Sequence, residues 1–156
     1  SIGKNEISFK FVGIEVVSEL VDLGFPDYKT IISGLDKDRT TIVLSTKNFI
    51  STLKRAYSLA KNSLEYRNGA RFNFAQNKLL IKSNNGHSEF KEELATIQTG
   101  DDLKIALNVK FLLDFIKKIK DKTVVMKMLN NKSTVLVKGG AGDDWFYLMM
   151  PLALRD

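Results

Sequence analysis

Residues 40–61 read TTIVLSTKNFISTLKRAYSLAK, and the stretch contains a strand, a cap and a helix in that order. Thr40 to Ser45 is rich in β-branched side chains, which suit a pleated surface. Ser45 or Thr46 is placed to cap the helix, because a short hydroxyl side chain accepts from a free N–H of the first helical turn. At helical spacing Phe49, Leu53, Ala56, Tyr57 and Ala60 gather on one side. Lys47, Ser51, Lys54, Ser58 and Lys61 form a stripe on the other. Leu59 is the exception, an apolar residue at the edge of the polar face.

The same order recurs downstream. Leu103 to Leu107 reads as a strand, Asn108 as a cap, and the segment after it turns Val109, Leu112, Leu113, Ile116 and Ile119 inward. Its narrow polar face is Lys110, Asp114, Lys117 and Lys118. Three strand-like runs come after each helix. Behind the first are Arg71 to Ala75, Lys78 to Lys82 and Ser88 to Thr99, the first two joined by a Gln76-Asn77 turn. Behind the second are Thr123 to Leu129, Thr134 to Lys138 and Trp145 to Met150, separated by turns at Asn130-Asn131 and in Gly139 to Asp144. The pattern of strand, helix and three strands, given twice, predicts an α+β domain of two β-α-β-β-β units. Its two helices pack on antiparallel sheet and share one core.

Upstream, Ile7, Phe9 and Phe11 alternate with Ser8 and Lys10. With Gly13 and the run from Ile14 to Val21 they predict a hairpin. Gly24-Phe25-Pro26-Asp27-Tyr28 then reads as a connector, since proline cannot join a ladder and biases Phe25 to an extended form.

The chain has 156 residues and a net charge of +6, and two short segments account for all of it. Lys47 to Lys61 carries four cations and no acid, and Lys110 to Lys120 carries four cations against Asp114. Two such helices at equivalent places in two halves, presented on one side by a single sheet, would make one positive wall suited to phosphates. The polar faces hold no interleaved aromatics for base stacking and no Arg/Asn/Gln cluster for base reading. The contact expected is with the backbone, weak, sequence-blind and sensitive to salt.

Catalysis lacks parts. There is no cysteine and only His87 among histidines, and no serine stands in a Gly-x-Ser-x-Gly elbow, so nucleophilic triads have no candidates. Asp101-Asp102 and Asp143-Asp144, beside glycines, read as turn formers and not metal ligands. The Gly139 to Gly142 run precedes a strand where a phosphate cradle needs a helix, so it reads as a hairpin loop. Neither an enzyme nor a cofactor or metal site is expected. The opening residues show no charged start followed by an apolar core, and no apolar run approaches the ~20 residues of a membrane helix, so a soluble cytoplasmic protein is the expectation.

Leu20-Val21-Asp22-Leu23-Gly24-Phe25-Pro26-Asp27-Tyr28 resembles the bacterial DNA polymerase III β sliding clamp at the join between its second and third domains. Leu107-Asn108-Val109-Lys110-Phe111-Leu112-Leu113-Asp114 is similar to the second helix of that family's third domain. Tyr147-Leu148-Met149-Met150-Pro151-Leu152 is similar to its C-terminal strand and tail. The resemblance implies that residues 1–32 are the last strands of the second clamp domain with its linker, and residues 33–156 the third. It implies a non-catalytic processivity factor, a homodimeric ring around duplex DNA, with Lys47, Lys54, Arg55, Lys61, Lys110, Lys117 and Lys118 facing the DNA.

The resemblance also implies a groove for short apolar peptide motifs of polymerase subunits, the clamp loader and repair proteins. The matching positions are Pro26, Thr30, Ile31, Tyr66, Asn108 and Phe111, with Thr134, Leu148, Met149, Met150, Pro151 and Leu152 from the C-terminal half. Met and Pro beside aromatics suit such an adaptable apolar pocket. Ser58 and Leu59 match the ring-closing subunit interface. Ala153 stands where the family commonly has arginine, and the first domain and most of the second have no counterpart here. The alternative function is a stand-alone, sequence-nonspecific nucleic-acid-binding domain using the two helices directly.

Overall fold

The computed structural model describes residues 1–25, 27–34, 40–61, 67–141 and 145–153; for Ile31, Ser33 and Gly34 it describes the backbone alone. The chain forms two compact units, Ser1–Thr30 and Ile31–Asp156. In the first, β1 (Glu6–Phe11) and β2 (Ile14–Glu19) pair antiparallel around Gly13, whose φ of 76° suits glycine alone at little cost. Phe9, Phe11, Ile14, Val16 and Val17 all stay exposed, since a two-stranded ribbon has nothing to fold its apolar side chains against. The connector is partly helical. Helix α1 (Tyr28–Gly34) begins where the Asp27 carboxylate accepts from the Lys29 and Thr30 N–H groups at 3.2 and 3.3 Å, an Asx cap.

The second unit contains the doubled pattern: β3 (Thr40–Ser45), α2 (Thr46–Ala60), β4 (Gly69–Ala75), β5 (Lys78–Asn84), β6 (Glu89–Ala95) and β7 (Ile97–Thr99), then β8 (Leu103–Asn108), α3 (Val109–Ile116), β9 (Thr123–Met128), β10 (Val135–Gly139) and β11 (Phe146–Met149). The strands make two sheets, where the pattern predicts a single one, in the orders β11-β10-β9-β3-β7 and β6-β5-β4-β8. The leading strand of each repeat crosses into the sheet of the other: β3 lies beside β9 with Ile42 opposite Met126, and β8 lies beside β4 with Ile105 opposite Phe72.

This exchange is repeated in detail. Ser45 and Asn108 cap the two helices, accepting from Asn48 N–H at 3.4 Å and Phe111 N–H at 3.1 Å. The first N–H of each helix is satisfied from the other repeat, Thr46 by the Lys122 carbonyl at 2.9 Å and Val109 by the Asn68 carbonyl at 2.7 Å. The end of each repeat also changes sheets. The single run expected over Ser88 to Thr99 breaks at Thr96, so that β6 closes one sheet while β7 pairs with β3 in the other. Thr96 N–H donates to the Asn77 carbonyl and Gln98 N–H to the Asn77 side chain, both at 2.8 Å. Asn77 can serve both because Gln76 and Asn77 take left-handed φ of 50° and 61° in the β4-β5 turn. Correspondingly, the chain leaves β11 and bridges from Leu152 to Ala106 of β8.

One core results. Phe49 and Leu53 of α2, Leu112 and Ile116 of α3, Phe72 and Phe74 of one sheet and Ile42 and Met126 of the other are fully buried in a single cluster.

Candidate nucleic-acid and peptide interfaces

Helices α2 and α3 pack directly against each other, and it is this contact that brings the two basic segments together. Lys47, Lys54 and Arg55 are exposed on α2 and Lys61 at its C-cap, and Lys117 and Lys118 are exposed after α3. The second helix is shorter than its periodicity predicts: Lys117 is its C-cap, where a cation complements the helix dipole.

Local partners sort these cations. Arg55 donates from Nε to Glu92 Oε2 at 2.8 Å and from Nη2 to Oε1 at 2.5 Å, with Nη1 on Ser51 Oγ at 2.7 Å. Its charge is therefore turned to the β6 edge of the sheet. The Arg55 hydrogen bond, helped by Thr52 and opposed by burial, holds the Glu92 carboxyl below the usual carboxylate range. Lys110 Nζ donates to Asp114 Oδ2 at 2.8 Å one turn on, and that bond lowers the Asp114 carboxyl too. Among the described residues, Lys47 and Lys54 have no such acidic partner.

An open concavity of about 700 Å³ lies beside the start of α2, lined by Lys47, Ile50, Ser51 and Lys54 and by Ile119, Lys120, Asp121 and Lys122. Helix periodicity and resemblance do not single out Lys120 and Lys122 as phosphate contacts. Their signal is the lysine-rich run from Lys117 to Lys122; it does not show that the chain turns back after Ile116 to meet the other helix.

For the peptide positions, alternation on β11 decides the exposure. Met149 points into the core at 6% exposure, Leu148 is half-buried, and Met150 stands 63% exposed beside Thr134, whose Oγ1 lies 3.2 Å from its sulfur. Phe111 is 54% exposed on the first turn of α3 behind its Asn108 cap. Pro151 and Leu152 are half-buried, and Leu152 N–H donates to the Ala106 carbonyl at 2.8 Å, two residues before Asn108. The tail, the end of β8 and the start of α3 are thus joined. Thr30 belongs to the first unit and Ile31 to α1. Pro26, Tyr66, Asp143, Asp144 and the tail beyond Ala153 lie outside the described residues.

Ser58 is exposed, its hydroxyl on the Arg55 carbonyl at 2.7 Å, and Leu59 is half-buried. Both come just after the Arg55 turn that ties α2 to β6, the edge strand of its sheet. Among the described residues no cluster of His, Cys, Asp and Glu is arranged to hold a metal, and no helix is long and apolar enough to cross a membrane.

Two β-α-β-β-β repeats with exchanged leading strands and paired helices define a sliding-clamp domain. The chain belongs to the family described as DNA polymerase III beta subunit, C-terminal domain, which matches residues 36–153. It is 32% identical over 155 residues to the beta sliding clamp of Proteus mirabilis and 30% identical over 156 residues to that of Escherichia coli K12. The match takes in 98% of this chain but only 41% of each of those relatives. Among solved structures it superposes on the Pseudomonas aeruginosa DNA polymerase sliding clamp with ligand at a TM-score of 0.77 and 28% identity, covering 98% of this chain and 41% of that one. The Thermotoga maritima DNA polymerase III beta subunit gives 0.79 and 27%, with 99% and 41% covered. These relatives are clamps, which are not catalytic by themselves.

Proposed function

We propose that this chain is the C-terminal part of a replication processivity clamp of the bacterial cytoplasm, working without cofactor as one portion of a dimeric ring around duplex DNA. The carrying observation is the packing of α2 on α3. It unites Lys47 and Lys54, which lack acidic partners among the described residues, with Lys120 and Lys122 around one concavity on the helical side. Lys61, Lys117 and Lys118 extend that positive surface; Arg55 and Lys110, held by Glu92 and Asp114, contribute less. Sparse lysines suit a ring that must slide, because tight phosphate contacts would oppose motion.

On this reading residues 1–32 are the closing strands and linker of a preceding domain and 33–156 the third. The apolar faces of the β1-β2 ribbon fit a sheet completed by further strands. Ser58 and Leu59, beside the open β6 edge, close the ring against a partner subunit. Met150, Phe111, Leu148, Thr134, Asn108, Pro151 and Leu152 form the described part of a groove for short apolar motifs of polymerase, clamp-loader and repair proteins. Pro26, Thr30, Ile31 and Tyr66 enter it on the resemblance alone, and Met149 supports it from the core.

The test is titration of a short clamp-binding peptide against labelled protein. Weak but saturable binding is expected, and absence of saturation at about millimolar peptide, the weak end of measurable affinity, overturns the groove. Tight duplex binding by this chain alone at physiological salt, abolished by serine at Lys47, Lys54, Lys110 and Lys117, would instead favour the stand-alone nucleic-acid-binding reading.

A further inference from the structure

The sheet β6-β5-β4-β8 turns Phe72, Phe74, Leu79, Ile81 and Ile105 into the core, on the side where Ser83 Oγ donates to the Ala56 carbonyl of α2 at 3.2 Å. Its other face is cationic. The register sets Arg71 opposite Lys82 and Lys82 opposite Lys91, so three cations stand in one row across three strands. With strands about 4.8 Å apart, that row is only about 10 Å long. Lys104 lies on the adjoining row, opposite Asn73, which itself faces Leu80. A shallow cavity of about 350 Å³ is lined by Arg71, Asn73, Leu80, Lys82 and Lys104.

Like charges directly opposite one another oppose strand pairing. Among the described residues no acid forms an ion pair with Lys82, Lys91 or Lys104. Among the described strand residues the carboxylates on this face are Glu93, already held by Lys78 at 2.9 Å, and Glu89 at the far end of β6. Lys82 and Lys91, directly opposite each other, thus carry a repulsion that an anionic occupant would relieve.

We propose that this outer sheet face binds an acidic protein segment in extended form, its carboxylates along Lys104, Lys82 and Lys91 and an apolar side chain on the half-buried Leu80. A protein segment fits better than nucleic acid. A phosphate strand has charge at every residue and no apolar side chain for Leu80, and Glu89 and Glu93 flank the row. The face also lies across the sheet from α2, away from the lysines assigned to duplex DNA, so it can be tested apart from the clamp reading.

The test is fluorescence anisotropy of a labelled nonapeptide, a central leucine with four glutamates on each side, titrated with this chain at low salt. Threonine at Lys82, Lys91 and Lys104 keeps strand propensity at exposed sites and should leave the thermal midpoint unchanged or higher. It is expected to weaken peptide binding about tenfold, three surface ion pairs being removed. Serine at Lys47, Lys120 and Lys122 is expected to change binding less than twofold. Equal weakening in both variants, or none in the threonine variant, overturns the proposal. So does duplex DNA that binds the wild type and weakens by the same factor in the threonine variant, which would make nucleic acid the ligand.

Discussion

Arg55 of α2 and Glu92 of β6 are joined by two parallel hydrogen bonds, Nε to Oε2 at 2.8 Å and Nη2 to Oε1 at 2.5 Å, thirty-seven residues apart in sequence. The pair anchors an edge strand, which has hydrogen-bonding neighbours on one side only, to the helix behind it. Substituting Glu92→Gln should lower the thermal midpoint at neutral pH, and the deficit should shrink in acid. The folded-state carboxyl is depressed, so its contribution is fully present above the ordinary value of 4.5 and is lost as pH falls through the lower folded value. Melting curves at pH 7, 4.5 and 3 check this; a deficit that grows in acid would refute it.

Neighbouring methionines, one the last residue of β11 and one just beyond it, should behave oppositely. Met149→Ala empties a core position and is expected to cost about 2–5 kcal/mol in urea unfolding. Met150→Ala, at an exposed site, should stay within about 0.5 kcal/mol of the parent while weakening a clamp-binding peptide several-fold.

Duplex retention by the assembled clamp should separate the cations by their partners. Serine at Lys47, Lys54, Lys120 and Lys122 is expected to shorten residence on DNA at low salt and reduce the salt slope by about one for each phosphate no longer neutralised. Lys110→Ser, which removes a charge already matched by Asp114, should do less. Residence on closed circular DNA over a salt series distinguishes the two.

The caps predict a matched pair of effects. Ser45→Ala and Asn108→Ala should each cost about 1 kcal/mol, the usual cost of an unsatisfied first-turn N–H. The bonds they remove are Asn48 N–H at 3.4 Å and Phe111 N–H at 3.1 Å, so Asn108→Ala should be the larger in chemical denaturation.

What sequence reveals here is local. Helix spacing in Phe49, Leu53 and Ala56, the caps Ser45 and Asn108 and the Gln76-Asn77 turn each depend on residues a few positions apart, and each is present in the fold. The corner at Thr96 is set by Asn77, whose main chain and side chain hold Thr96 and Gln98, and alternation along Ser88 to Thr99 does not register it. Two sheets form in place of the single one expected, because which strand β3 joins is decided by β9, far down the chain. Charge is subject to the same rule. Arg71, Lys82, Lys91 and Lys104 are scattered among acids in sequence and come together only through strand register, so the near-neutral sum outside the two helices conceals a cationic face. The peptide positions are legible by resemblance, yet only the pleat assigns Met149 to the core and Met150 to solvent.

The exchange of leading strands bears on how the molecule is made. As the chain leaves the ribosome, β3 appears early with Ile42 and Leu44 ready to be covered, but its partner β9 arrives only after four more strands, β8 and a second helix have been synthesised. Neither repeat can finish its own sheet. A nascent first half, in which β3 has only the three-residue β7 to pair with, therefore leaves the other edge of an apolar strand open until the second half is present, and the domain must close late, in one cooperative step dominated by distant contacts.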